Sequence, residues 1–452
     1  MSTTDDLIAE LAARGLLKDV TDPALAEVLK RERLTLYCGF DPTGETLHIG
    51  NLVPLVTLRR FAEAGHNVLA LIGGATGLIG DPSGRDTERE LLDEETISRN
   101  VAGLTRDIGR ILPQVNETSS SKGDNNATVR VANNRDWMGS FGLIEFLRDV
   151  GKHFRVNEML RMDSVRDRLE REAGLSFTEF SYSLIQSYDF WHLYAHEGCR
   201  LQLGASDQWG NITSGLDFIR TKILHEPEKD IGKPFGLTLE LLLDGQGNKF
   251  GKSTGGGSLW LSPAHTSPYR FYQYFLNTRD EVDENSEVER YLKTFTFLSV
   301  EEIRELMQQH NRDKPKREAQ RRLAREVTRL VHGEEGVQQA EQASEVLFGL
   351  KVDMRSVAEE VLASVFEDVP HATLPAAQLD AQEGIAVLEL FVATGLCASK
   401  GEARRKIKEG GAYVNDERIA DPNARLSREQ LHGKAYAKLR KGKREPALVR
   451  FA

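Results

Sequence analysis

The chain has 452 residues, of which 40% are hydrophobic and 28% are charged, so it can bury substantial cores and is not a largely disordered polypeptide. At about 150 residues per domain, this length predicts three domains. No run of about 18 apolar residues occurs and the acidic N-terminus does not resemble a secretory signal, so we expect no membrane partner. Cys38, Cys199 and Cys397 lack metal-ligand spacing, which indicates a reducing, cytoplasmic setting and predicts no metal held by the protein itself.

The charge is unevenly distributed along the chain. The net charge is −10, which by itself argues against a nucleic-acid partner. Residues 400–452, however, contain 15 Lys and Arg against 7 Asp and Glu, a net charge of +8. This basic C-terminal segment favours a polyanionic partner.

In the first half, short apolar runs alternate with helical patterns. Residues 34–40, 68–74 and 200–204 are typical of strands, and each enters a glycine-containing loop. Alternating strands and helices predict an α/β fold with a doubly wound, Rossmann-like parallel sheet. Such sheets bind ligands at the carboxyl ends of their strands.

The second half begins with helical periodicity, in which Ser299 and Glu302 are spaced as a capping box. A weakly periodic stretch with prolines follows, and a compact unit then starts near Gly384, where residues 385–391 are predicted as helix. There, Ser399 is predicted to cap a basic helix, and residues 412–419 read as strand, turn, strand. The predicted domains are 1–260, 261–350, a linker at 351–383, and 384–452.

The segment YCGFDPTGETLHIGN, residues 37–51, is predicted to be a strand and loop that lead into a helix starting near Gly50. A helix N-terminus presents unpaired N–H groups and partial positive charge, so Thr43 and His48 are candidates for phosphate binding. The alternative is that His48 only caps the helix. Pro54 is expected in the first turn, where its missing N–H costs little.

A second glycine-rich segment, GGATGLIGDPSGRDTER at residues 73–89, contains Asp81, Arg85 and Arg89. It lacks the Gly-Lys-Ser/Thr of a P-loop, and taken alone it favours a tight turn.

Three polar residues share one face of a predicted helix. Tyr182, Gln186 and Asp189 are spaced at i, i+4 and i+7, which predicts either a polar pocket or a solvated face.

The segment KFGKS contains Lys249 and Lys252 within a glycine-rich stretch. Two lysines on such a loop can neutralise charge that develops on leaving pyrophosphate, whereas an ordinary surface pair would simply be solvated.

Together these segments resemble a known family. HIGN resembles the HIGH signature and KFGKS the KMSKS signature of class I aminoacyl-tRNA synthetases, in the same order. DPTGETLHIGN, GGATGLIGDPSG, SFTEFSYSLIQSYD and GASDQWGN are similar to tyrosyl-tRNA synthetases in particular. The resemblance implies a catalytic domain, a helical domain and an S4-like RNA-binding domain, with tyrosine, ATP with Mg²⁺ and tRNA(Tyr) as ligands and a homodimer as the assembly.

The resemblance also implies roles for individual residues. The tyrosine substrate would be bound by Tyr37, Asp81, Tyr182, Gln186, Asp189 and Gln208. The adenylate would contact Cys38, Gly39, Asp41, Gly50, Asp207 and Lys252. Catalysis at the phosphates would involve Thr43, His48, Asn51, Arg85, Arg89, Lys249 and Lys252. The RNA would contact Lys400, Arg404, Arg405 and Lys408.

The sequence departs from the common family pattern at three places, of which Pro54 is one. Asn51 replaces the second His of HIGH, although its amide can still donate a hydrogen bond, and Ala205 stands where many relatives have Gly. The alternatives are a small-molecule nucleotidylyltransferase, which would not need the basic tail, a tryptophanyl-tRNA synthetase, and a noncatalytic RNA-binding relative. Tyr37 with Asp189 favours a substrate that carries a hydroxyl, and retention of His48 with the KFGKS lysines favours an enzyme.

Overall fold

The computed structural model describes residues 6–83, 91–112, 127–170, 174–242, 258–280, 286–348, 359–366, 368–380, 384–432, 435–442 and 445–452. The chain divides into two compact units, Met1–Ser262 with Thr278–Leu323, and Pro263–Asn277 with Ala324–Ala452. The predicted boundaries at residues 260, 350 and 383 stay a prediction.

The first unit contains a sheet of six strands in the order β1-β6-β5-β2-β3-β4. The strands are β1 Leu17–Val20, β2 Thr35–Phe40, β3 Asn67–Ile72, β4 Val129–Asn133, β5 Cys199–Ala205 and β6 Phe235–Leu239. All neighbouring strands are parallel except β1, which runs antiparallel to β6. The three strands predicted from the sequence are confirmed, and so is the doubly wound parallel sheet.

The strand order fixes where a ligand can bind. From β2 the chain moves outward to β3 and β4, and it then returns to place β5 on the other side of β2. The connections therefore leave β2 and β5 in opposite directions, which opens a crevice at the carboxyl ends of these two strands.

The helices of the first unit connect and flank these strands. They are α1 Leu7–Ala13, α2 Leu25–Arg31, α3 Ile49–Glu63, α4 Glu94–Ile111, α5 Arg135–Met138, α6 Leu143–Asp149, α7 Val156–Met159, α8 Asp163–Leu169, α9 Phe177–Phe180, α10 Tyr182–Glu197 and α11 Trp209–His225. Farther along the chain are α12 Pro268–Leu276, α13 Glu287–Phe295, α14 Val300–Arg312 and α15 Glu318–Phe348, where Gly333 breaks the helical geometry with a φ of 72°. Ser299 and Glu302 form the predicted capping box of α14.

The prediction for Pro54 is wrong. Because α3 begins at Ile49, Pro54 is its sixth residue and lies inside the helix rather than in the first turn. Its missing N–H removes the helical hydrogen bond to the carbonyl of Gly50.

Buried contacts hold α10 against the sheet. Phe190 and Tyr194 are fully buried in one core with Tyr37 of β2 and Ile212 of α11. Just before α10, the buried guanidinium of Arg168 donates two hydrogen bonds to the carboxylate of Glu179, at 2.9 and 2.8 Å. These contacts fix the helix that carries the predicted polar stripe.

The second unit contains a five-stranded sheet in the order β10-β9-β12-β13-β7 and a two-stranded sheet, β11-β8. The strands are β7 His371–Leu374, β8 Ile385–Ala386, β9 Ala412–Val414, β10 Glu417–Arg418, β11 Arg425–Leu426, β12 Tyr436–Lys441 and β13 Glu445–Phe451. The helices are α16 Glu359–Phe366, α17 Ala377–Asp380, α18 Val387–Ala393 and α19 Lys400–Lys408.

Two details of this unit differ from the sequence reading. β7 lies within the stretch predicted as a linker, and it pairs in parallel with β13. Ile385 and Ala386 form a strand with β11 instead of the predicted start of a helix. Both strands are too short to show a period of their own, so tertiary pairing decides their structure. Ser399 caps α19 as predicted, and its hydroxyl accepts a hydrogen bond from the backbone N–H of Glu402.

None of the helices in the described part of the chain is long and apolar enough to cross a membrane. The cytoplasmic setting stays a prediction.

Candidate active site

Tyr37 on β2 and Asp189 on α10 are buried near each other. Tyr37 is 1% exposed and its ring packs against Phe190, with the ring centroids 5.4 Å apart. Among the described residues its buried hydroxyl has no hydrogen-bond partner. Burial first, and the nearby Asp189 carboxylate second, raise the pKa of the Tyr37 hydroxyl well above its usual value. Tyr37 therefore stays protonated and can donate or accept a hydrogen bond.

The Asp189 carboxylate is itself buried, with 2% of the residue exposed. Burial raises its pKa to about 7, while hydrogen bonds from Asn134 and Trp137 oppose that rise. Trp137 Nε1–H donates to Oδ1 at 2.7 Å and Asn134 Nδ2 donates to Oδ2 at 2.9 Å. Near pH 7 the group is thus divided between its ionised and neutral forms.

A second group of side chains joins the ends of β2 and β3 to α10. Asp41 accepts hydrogen bonds from Tyr182 at 3.0 Å and from Thr76 at 2.8 Å. Thr76 in turn accepts one from Asn134 Nδ2 at 3.1 Å. A Cβ on Gly73 would lie only 2.1 Å from Asp41 Oδ1, so the glycine-rich segment lets this carboxylate approach the backbone rather than forming only a turn.

A third group gathers around Gln208, just beyond β5. Gln208 Nε2 donates to Asp81 Oδ2 at 2.7 Å, and its Oε1 accepts from Gln186 at 3.3 Å and from Asn211 at 3.2 Å. Asp81 is also buried, and its Oδ1 accepts a hydrogen bond from the Ser83 N–H at 2.9 Å. These contacts unite three residues that the sequence assigned to the same substrate.

The face of α10 that carries Tyr182, Gln186 and Asp189 is mostly buried. Tyr182 is 6% exposed, Asp189 is buried and Gln186 is half-buried. Because Tyr182 and Asp189 are buried and all three side chains bond other parts of the first unit, the solvated-face alternative is wrong.

His48 caps the N-terminus of α3. Its Nδ1 accepts a hydrogen bond from the Gly50 N–H at 3.0 Å, and the Asn51 side-chain oxygen accepts one from the His48 N–H at 3.1 Å. In neutral imidazole, an accepting Nδ1 assigns the proton to Nε2. The capping alternative is therefore compatible with a role at phosphate, because the ring still has Nε2–H as a donor. Thr43 is exposed in the loop before this helix.

The remaining predicted residues occupy different positions. Gly39 is exposed on β2, and Asp207 is half-buried in a turn of 3₁₀ helix that follows β5. Cys38 is buried, and burial raises the pKa of its thiol to about 12. The predicted phosphate-binding residues Arg85, Arg89, Lys249 and Lys252 lie outside the described residues.

The sequence reading missed Thr76, Asn134 and Trp137. Asn134 and Trp137 directly follow β4, whose carboxyl end reaches the same edge of the sheet as those of β2 and β3. The signal was available in the apolar alternation of VRVAN, but the preceding polar loop hid that strand.

Comparison of the sequence with models of known protein families agrees with this architecture. Residues 29–349 match the family model for class I tRNA synthetases (W and Y), and residues 362–449 match the C-terminal domain model of tyrosine–tRNA ligases of the SYY type. The first match spans most of the chain, including strands β2 to β6, the N-terminus of α3 and the polar face of α10. The chain is thus a class I tRNA synthetase with an S4-like C-terminal domain.

Curated relatives define the family further. The chain is 46% identical to the tyrosine–tRNA ligase of Roseiflexus castenholzii over 98% of this chain and 99% of the relative. It is 47% identical to the tyrosine–tRNA ligase of Bacillus caldotenax, over 99% of this chain and 100% of that relative. A truncated mitochondrial tyrosyl-tRNA synthetase from Aspergillus nidulans superposes with a TM-score of 0.65 at 33% identity, covering 75% of this chain and 92% of that one. The chain belongs to the tyrosine–tRNA ligase family.

Proposed function

We propose that this chain, as a tyrosine–tRNA ligase, activates tyrosine with ATP in the crevice at the ends of β2 and β5 and transfers the tyrosyl group to the terminal ribose of tRNA(Tyr). The observation that carries the proposal is the buried Tyr37 hydroxyl, which has no partner among the described residues and lies beside the Asp189 carboxylate. A buried polar group without a partner costs about 1–3 kcal/mol. The phenol hydroxyl of tyrosine would supply that partner, since it can accept from Tyr37 and donate to Asp189.

The opposite end of the pocket suits an ammonium group. Asp81 is a buried acceptor that Gln208 links to Gln186 on α10, and Tyr182 lies on the same face of that helix. We assign these three residues to the substrate ammonium and Gln208, which bonds Asp81, to the neighbouring carboxylate. Hydrogen bonds link Gln186 to Asp81 through Gln208 before the substrate arrives, so little reorganisation of these three side chains is needed on binding.

ATP would lie across the ends of β2 and β5, with its phosphates at the start of α3. We assign the adenosine moiety to Cys38, Gly39 and Asp41 on one side and to Asp207 on the other. Gly50 lets the nucleotide approach the start of the helix closely. Thr43, His48 and the Asn51 amide are assigned to the phosphates. Mg²⁺ bound to ATP would neutralise part of the phosphate charge. Arg85, Arg89, Lys249 and Lys252 are assigned to pyrophosphate from the sequence.

The chemistry requires positioning more than proton transfer. The tyrosine carboxylate is already ionised at pH 7, and it attacks the α-phosphate in line while pyrophosphate leaves. The tRNA ribose hydroxyl then attacks the carbonyl of tyrosyl-adenylate and AMP leaves. Neither step needs a nucleophile from the protein.

The proposal is tested by amino-acid-dependent exchange between ATP and pyrophosphate with each standard amino acid. Exchange that depends on tyrosine alone is the expected result. Exchange with tryptophan, or none with any amino acid, would overturn the assignment.

The basic surface of α19 is the proposed contact for tRNA. Lys400, Arg404 and Lys408 are one turn apart along the helix, and Arg405 adjoins them. Lys400 is paired with Glu389 at 2.7 Å. Arg404, Arg405 and Lys408 are exposed, and no ion pair to them occurs within the described residues. Their charges are therefore available to phosphates, which carry no sequence information themselves.

Reversing two of these charges separates the two half-reactions. In the double variant Arg404→Glu, Lys408→Glu, tyrosine-dependent pyrophosphate exchange should be unchanged while tRNA binding weakens. Loss of two phosphate contacts should make the fall of log affinity with log salt concentration shallower, by about 1.5 in the slope. The matched control, Arg31→Glu with Arg220→Glu, changes the net charge equally in the first unit. Equal tRNA binding by both variants would contradict this surface.

Charge reversal is preferable to truncation because the end of α15 is part of the C-terminal core. Ala343, Val346 and Leu347 are buried with Leu362 and Val365. Removing the residues beyond α15 would uncover this apolar face and confound the assay.

We also propose that a second copy covers the short helices α6 to α9. Among the described residues, large exposed apolar side chains are concentrated there, including Ile144 at 76% and Phe177 at 77% exposed. Exposed apolar surface of this kind marks an interface, and a homodimer buries the same patch of both subunits. The proposed dimer contact therefore lies on the catalytic unit.

The variant Ile144→Asp should shift the protein from dimer to monomer in analytical ultracentrifugation, because two buried charges would face each other across the symmetric contact. Leu224→Asp is the matched control, since Leu224 is 82% exposed but lies at the end of α11, outside this patch. A dimer that survives Ile144→Asp as well as it survives the control would contradict this interface.

A further inference from the structure

Trp137 donates one of the two hydrogen bonds to the Asp189 carboxylate, yet it lies on a helix with little stability of its own. The helix α5 is a single turn, and the side chain of its N-cap residue Asn134 caps none of its N–H groups. One turn of helix is marginal without tertiary contacts. The orientation of the indole therefore depends on what packs against its ring.

His192 packs directly against that ring. The centroids of the Trp137 and His192 rings are 4.4 Å apart and their planes differ by 14°, which is a stacked arrangement. His192 follows Asp189 by three residues on α10, so both side chains lie on the same side of the helix. A single helix thus holds the indole at two points, with Nε1–H on Asp189 and the ring face on His192.

The imidazole in this stack is neutral at pH 7. Burial, and secondarily the neighbouring His196, lowers the pKa of His192 to about 4. The His192 and His196 ring centroids are 4.7 Å apart. The contact with Trp137 is therefore between two uncharged aromatic planes, and a phenyl ring can take the place of the imidazole.

We propose that His192 is a positioning residue for tyrosine recognition, whose ring holds Trp137 in the orientation that donates to Asp189. The inference rests on the proposed role of Asp189 at the phenol hydroxyl. Without the His192 ring the indole can turn, so the Asp189 carboxylate loses a fixed donor and its alignment with the substrate hydroxyl. Within the described part of the chain, no contact links His192 to Asp81 or to His48, so the ammonium and phosphate ends should be unaffected.

The experiment compares three variants in tyrosine-dependent pyrophosphate exchange. His192→Ala should raise KM for tyrosine by about 3- to 10-fold, the range expected for one aromatic pair, and lower the preference for tyrosine over phenylalanine similarly. The kcat and the KM for ATP should stay unchanged. His192→Phe should restore tyrosine KM, and the exposed His196→Ala, which removes an imidazole one turn farther along, should behave as the unaltered protein.

An unchanged KM for tyrosine in His192→Ala would overturn the proposal. So would a raised KM that His192→Phe fails to restore, because the stack would then not be the cause. If His192→Ala does not fold, His192→Phe decides by itself, since tyrosine KM and thermal stability must both match the unaltered protein. Asp189→Asn distinguishes failure of this inference from failure of the proposed function. If this variant keeps the preference for tyrosine over phenylalanine, the role of Asp189 at the phenol hydroxyl fails. If Asp189→Asn loses the preference but His192→Ala keeps it, only the positioning role of His192 fails.

Discussion

Asp189→Asn is expected to lower the preference for tyrosine over phenylalanine by on the order of 100-fold in pyrophosphate exchange, because a hydrogen bond to a buried charged group is worth up to about 3 kcal/mol. The variant keeps the size of the side chain but replaces one accepting oxygen with a donor. The new amide N–H₂ would face either Trp137 Nε1–H or Asn134 Nδ2. Because both of these groups are donors to Asp189, one of the two hydrogen bonds would be lost. Phenylalanine, which lacks the hydroxyl, gains nothing from Asp189 and should be activated about as slowly as before.

The pH dependence gives a second check on the same residue. Burial raises the pKa of Asp189 to about 7, so protonation removes the accepting carboxylate as the pH falls through this value. The kcat/KM for tyrosine should therefore decline below pH 7, and this decline should be absent from Asp189→Asn. Asp217→Asn, an exposed carboxylate on α11, is the matched control. Retention of both tyrosine preference and the acid decline in Asp189→Asn would place the phenol elsewhere.

His48→Asn is expected to slow adenylate formation by about 10²- to 10³-fold, the usual cost of losing one donor to a developing charge. The asparagine oxygen can still accept from the Gly50 N–H, which His48 Nδ1 now caps at 3.0 Å. The Nε2–H donor, in contrast, is lost. Single-turnover activation should therefore fall while tyrosine affinity and thermal stability stay close to those of the unaltered protein.

His48→Ala separates the cap from the catalytic donor. It should show the same loss of rate together with about 1 kcal/mol of lost stability, the usual cost of removing an N-cap. Normal activation by His48→Asn would return His48 to the capping role alone.

Short-range patterns predicted the parts of the site that depend on neighbouring residues. The strands that end at Phe40, Ile72 and Ala205 follow from apolar runs and glycine-containing loops. The α3 start at His48 and the polar stripe on α10 follow from capping chemistry and helical spacing, because each involves residues no more than seven apart. Order along the chain then suffices to predict a parallel sheet with a ligand at its carboxyl edge.

Long-range pairing decided the rest. Tyr182 bonds Asp41 across 141 positions of the chain, and Gln208 bonds Asp81 across 127. Trp137 reaches Asp189 only because β4 and α10 converge on the same edge. The sequence by itself determined which residue types, turns and helix starts were available for binding tyrosine and ATP, since these depend on local conformational preference. Only the tertiary structure decided which carboxylate is buried, which hydroxyl has no partner among the described residues and which indole donates to Asp189, because burial and pairing arise when distant segments pack together.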